Sequence, residues 1–164
     1  KLSRIGISFL TILVLLFQGF TVFASTNTQE DFDDLLQRGY EAELTWLDKQ
    51  SNAIAAADRA ADKVQDIIDS GSAHGLDVSL LVSTLADFET AMVGVKSDHE
   101  AAAATLSSHA GFDANGVVTD RETARETVKN ARRSLGTAHM TMTQAFWDLR
   151  DAVSDWKNVN FPQE

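Results

Sequence analysis

At 164 residues the chain fits one domain, and 44% apolar with 23% charged residues places it among ordinary globular proteins rather than disordered ones. Its 14 basic and 24 acidic residues leave a net charge of −10, which argues against a nucleic-acid backbone or an anionic membrane surface as partner and leaves cationic partners open. Without cysteine there is no disulfide, thiolate zinc site, covalently attached c-type haem or cysteine nucleophile.

Lys1 and Arg4 precede an apolar run from Ile5 to Ala24, closing in Val22-Phe23-Ala24 before polar residues. The basic start, apolar stretch and small residues at the −1 and −3 positions predict a secretory signal peptide, residues 1–24, cleaved after Ala24. The alternative is an uncleaved anchor helix, since about 20 apolar residues can span a bilayer, although Gln18 and Gly19 weaken it. In either case the remainder is expected to be secreted or periplasmic.

Residues 25–157 are expected to form a three-helix bundle with helices at about 28–70, 78–110 and 119–157, followed by a flexible tail, 158–164. Asn27 or Thr28, with Glu30 or Asp31 three residues on, opens the first helix in the manner of a capping box. Tyr40, Leu47, Ile54, Ala61 and Ile68 repeat every seven residues, flanked by Leu36, Ala57 and Val64 and by Trp46, Ala53, Ala60 and Ile67. A stripe that broad touches two neighbours. Ser70-Gly71-Ser72 is expected to end this helix.

The second helix opens at Asp77, with Leu76 and Leu81 placed as a hydrophobic staple. Its seam reads Leu81, Leu85, Phe88, Met92, Val95, His99, Ala102, Leu106 and His109, alternating four and three. Gly111 stops it, residues 112–116 turn, and Thr119 with Glu122 caps the third helix. There alanine returns every seventh residue as Ala124, Ala131, Ala138, Ala145 and Ala152. A second row, Val128, Leu135, Met142, Leu149 and Trp156, lies four residues after each of them. One small row and one large row predict a close neighbour on the alanine side. In the tail, Phe161 and Pro162 are placed to fold back on the bundle end.

Short connections make antiparallel neighbours, so the expected fold is all-α, an antiparallel up-down-up three-helix bundle with coiled-coil-like heptad packing. Dimerisation into a four- or six-helix assembly is the competing architecture.

Four histidines invite a metal or cofactor reading. Aligning the helices about their turns sets His99 level with Gln50 and Ala131, and His139 opposite Ala91 and Ala57. The two histidines then stand about eight residues, roughly 12 Å, apart along the bundle, too far for one ion. His99 with Gln50 is read as a buried polar layer that fixes register, and His109 as a partner of the second helix's dipole. Haem axial ligation needs matched positions, whereas Met92, Met142 and His139 are spread along the seam. The turn carrying Asp113, Asn115 and Asp120 begins like a calcium loop, but Val117 and Ala124 stand where an EF-hand has an oxygen ligand and its bidentate Glu. It reads as an Asx-type turn running into a helix cap.

No nucleophile elbow, His-Glu-x-x-His or glycine-rich phosphate loop is present, so no catalytic residues are expected. With the alanines labelled d, Met140 and Trp147 take f positions and point away from the seam. They mark a docking surface unless the tail, through Val159 and Phe161, covers them. The expected function is that of an extracytoplasmic, non-catalytic bundle, a structural or protein-interaction module of the cell envelope. It would take a protein partner or self-associate, with no cofactor, no nucleic acid, and membrane contact only through residues 5–24 if uncleaved. The alternative is a metal- or cofactor-binding bundle that uses the core histidines or the 113–120 turn.

Overall fold

A computed structural model describes residues 29–161; the 1–24 leader, the cap at Asn27 or Thr28 and Pro162 lie outside the described residues. Within them the chain is all-helical. Three helices, α1 (Gln29–Ala73), α2 (Ser79–Ser107) and α3 (Arg121–Asn160), pack against one another. No strand forms among the described residues; β structure is limited to an isolated bridge between Phe112 and Val118.

The helix ends depart from the expected ones for local reasons. α1 continues past Gly71 to Ala73, because its stop is Gly75, left-handed at φ +73°. The N–H of Leu76 donates to the Gly71 carbonyl (3.0 Å) and that of Gly75 to the Ser72 carbonyl (2.9 Å), the paired bonds of a Schellman motif. Gly71 serves packing instead: a Cβ there would stand 2.8 Å from a Val78 methyl and 3.0 Å from the Trp156 indole.

α2 begins at Ser79, where the Asp77 carboxylate accepts from the Ser79 N–H (2.9 Å). It ends at Ser107, three residues short of the expected 110, and His109 at φ +51° cannot prolong it. The cap of α3 falls one residue later than Thr119: Asp120 accepts from the Thr123 N–H (2.7 Å). α3 then runs to Asn160 rather than 157, and Phe161 meets the Trp156 ring edge-on at 5.8 Å.

Contacts between the helices fix their order. Tyr40 Oη donates to the Leu106 carbonyl (2.8 Å), Gln50 meets His99 (3.1 Å) and Lys96 reaches Asp58 (2.9 Å), so numbers climb along α1 as they fall along α2. Asp33 pairs with Arg121, Glu43 with Arg132, and Gln50 with the Leu135 carbonyl, so α1 and α3 climb together. The α2–α3 contact is the most extensive of the three. In the alanine row Ala124, Ala131 and Ala138 are wholly buried, as close packing on that side requires.

The core falls into two apolar sections. The larger holds Ile54, Ile68, Leu85, Phe88, Met92, Met142 and Leu149 among others. The smaller gathers Leu36, Tyr40, Leu106, Phe112, Ala124, Val128 and Ala131. Between them, the buried Gln50 and the part-buried His99 form a hydrogen-bonded polar pair beside the wholly buried Leu135. Among the described residues no helix is long and apolar enough to cross a membrane.

Candidate functional site

Gln50 is buried and fully used. Its amide nitrogen donates to the Leu135 carbonyl (3.0 Å) and its oxygen meets His99 Nδ1 (3.1 Å), while His99 Nε2 meets Ser51 Oγ (3.0 Å). Both nitrogens of His99 are thus engaged in protein hydrogen bonds, and a bound ion would have to displace one of them. The Gln50–His99 pairing agrees with the register expected from the turns, but α3 is displaced by one turn: Leu135, not Ala131, shares the layer. His139 correspondingly packs edge-on against Trp46 at 6.3 Å instead of facing Ala57. The 108–120 connection sets this register by its own folding, Thr127 Oγ1 tying α3 back to the Ala110 carbonyl (2.8 Å).

Two turns before Gln50 lies a residue the sequence reading passed over. Glu43 continues the row Leu36, Gln50, Ala57 and Val64 at seven-residue spacing, and its carboxylate is buried, with 2% exposure. Arg132 Nε donates to one oxygen (2.7 Å), and the other has no hydrogen-bond partner. Burial pushes the Glu43 carboxyl above the usual range, against the pull of the Arg132 guanidinium. The signal was in the sequence: an acid at a seam position of a periodic helix is anomalous in a way that an acid elsewhere is not.

The 113–120 turn is closed on itself. Asp113 Oδ1 accepts from the N–H groups of Asn115 (2.8 Å) and Val117 (2.9 Å), which hold its carboxyl below the usual range. The Asp120 carboxylate is occupied as the α3 cap, and its bond from Thr123 lowers it likewise. His109 Nδ1 lies 2.8 Å from the Ser107 carbonyl. Among the described residues no three His, Asp or Glu side chains converge to hold a metal ion.

Met140 and Trp147 are both exposed large apolar side chains of α3, two turns apart on one face. Met140, 73% exposed, stands at one end of a groove of about 780 Å³ between α2 and α3. Trp147 is outside the lining of that groove, its ring under the Arg150 guanidinium at 3.8 Å. Among the described residues the tail covers neither: Val159 is exposed and Phe161 packs on Trp156. Phe88, Ala91, Ala145 and Ala152 make the groove apolar, and Leu80, 48% exposed, stands at the end away from Met140. Asp87 of α2 and Asp148, Asp151 and Asp155 of α3 line it as well, and among the described residues no Lys, Arg or His does. The alanine row explains the opening. Ala145 and Ala152 retain slight exposure here, where the space above them is unfilled, unlike the three alanines before them.

Comparison of the chain with protein-family models, curated proteins and solved structures finds no match.

Proposed function

We propose that this chain is a non-catalytic protein-interaction module of the cell envelope. Its antiparallel up-down-up helices pack through coiled-coil-like seams and are delivered outside the cytoplasm by the 1–24 leader. The observation that carries the reading is the groove between α2 and α3: an apolar floor flanked by the exposed Met140 and Leu80 is surface that a bundle with no partner has no reason to keep. The polar contacts within the fold support it from the other side. Gln50, His99, Asp113 and Asp120 are each engaged in holding the fold, which makes them structural in this reading.

The test is site-specific photo-crosslinking in intact cells. A photoreactive residue at position 140 is expected to give a discrete protein adduct in the envelope fraction, and one at the exposed, polar position 62 of α1 none. Failure to form any adduct at 140 would refute the reading. Intact mass of the isolated protein tests the leader, with Ser25 the expected first residue.

A further inference from the structure

We propose that the groove between α2 and α3 seats a basic amphipathic helix of a partner protein. The inference rests on the interaction reading above and names the chemistry of the partner.

Three features select this occupant. The groove extends over residues 80–91 of α2 and 140–155 of α3, about 16 and 22 Å at helical rise, room for a helix of three to four turns. Its floor carries Ala91, Ala145 and Ala152, and small side chains at a contact let a helix axis come close. Such a helix would complete a local four-helix packing, with apolar residues at i, i+3, i+4 and i+7 reaching Leu80 at one end and Met140 at the other.

Charge sets its sign. Asp87 stands on one wall and Asp148, Asp151 and Asp155 on the other, Asp148 bonded only to the neutral Gln144 amide (2.8 Å) and Asp151 already met by Arg150 (2.6 Å). Lysine or arginine on the flanks of the incoming helix would face these carboxylates. A second copy of this chain fits poorly by the same rule, because a two-fold contact through this face sets four carboxylates against the same four. An interface of three or four helical turns is below the size of stable complexes, so the docking is transient and salt-sensitive.

The experiment titrates the full chain with a labelled 14-residue Leu/Lys peptide of this pattern and with its Leu/Glu counterpart. Binding of the Leu/Lys peptide in the micromolar range, and none of the other, is expected. Asp148→Lys with Asp155→Lys should weaken it about tenfold or more, whereas Asp62→Lys with Asp66→Lys on α1, an equal change in net charge, should weaken it less than about twofold. Leu80→Asn with Met140→Asn leaves every charge in place and should still weaken binding about fivefold. Unchanged circular dichroism and melting show that each variant is folded.

The proposal is overturned if the two charge reversals weaken binding equally, if the Asn pair has no effect, or if the Leu/Glu peptide binds as well. A crosslink at 140 to a second copy of the chain overturns it too. An adduct at 140 that survives Asp148→Lys with Asp155→Lys removes the basic helix and leaves the interaction module standing. Absence of any adduct removes the module itself.

Discussion

Protonating Glu43 relieves a buried charge, so this residue opposes the usual pH dependence of folding. Its native proton affinity is raised by burial, and the folded state therefore binds the proton more tightly than the unfolded state does. Stability attributable to Glu43 is lost as pH rises through the carboxylate range and regained as it falls. Asp33, Asp77, Asp113 and Asp120 act the other way. Arg121 beside Asp33, N–H donors at Asp77 and Asp113, and the Thr123 hydroxyl and N–H at Asp120 lower their native values, so their contribution is present at neutral pH and lost on acidification. The melting midpoint should accordingly pass through a maximum on the acid side of neutrality, and Glu43→Leu should remove the fall from that maximum toward neutral pH. At neutral pH that variant should be more stable by about 1 to 3 kcal/mol, because the Arg132 side chain, 62% exposed, returns to water while an apolar group fills the seam. A loss of stability in urea denaturation at pH 7 would contradict this. The sequence hid Glu43 among the many acids of α1, where a solvated face is the ordinary reading. Gln50 was legible because a core histidine stood at its level.

Among the elements, the 108–120 connection is the least forgiving. Gly111 has φ +83°, and a Cβ there would stand 2.1 Å from the Ala124 backbone nitrogen, while its carbonyl accepts from the N–H groups of Thr119 (2.9 Å) and Asp120 (3.2 Å). Gly111→Ala therefore combines left-handed strain with a backbone collision and should cost more than about 2 kcal/mol, read as a lowered denaturation midpoint. Gly75→Ala has open space at its Cβ and bears the conformational cost alone. On α3, Ala138→Leu should cost about 1 to 3 kcal/mol, since that alanine is wholly buried, whereas Ala55→Leu on an exposed face of α1 should be nearly neutral. These contrasts mark how far the sequence reaches. Burial every seventh residue is a demand that the chain meets periodically, so the seams and the all-helical class are visible in it. Helix ends are set by single contacts: Gly71 looks like a stop and is a packing site, and Gly111 looks like a stop and is a point of close approach. Nothing local distinguishes them.

At the scale of the molecule, the groove was half legible. Met140 announced itself as a large apolar side chain at an outward position, but its partners did not. Asp87 and Leu80 join it only through the register of α2 against α3, which the 108–120 connection decides. Trp147, which the heptad places beside Met140, stays exposed as well, and its contact with Arg150 was not legible in the heptad.

The polar level at Gln50 and His99 has a consequence in time as well as in space. Two apolar sections that meet across a hydrogen-bonded layer need not open together, and the smaller one, around Tyr40, Leu106 and Val128, has less buried surface to lose. Amide exchange under native conditions should therefore show two protection classes, with amides near Tyr40 and Val128 exchanging at a lower opening free energy than those near Ile68, Leu85 and Leu149. In denaturant titration the two classes should converge only near the global transition. A single class throughout would mean that the layer transmits cooperativity across the bundle. With two classes, the bundle has a melting end and a standing end, and its groove between α2 and α3 belongs to the one that stands.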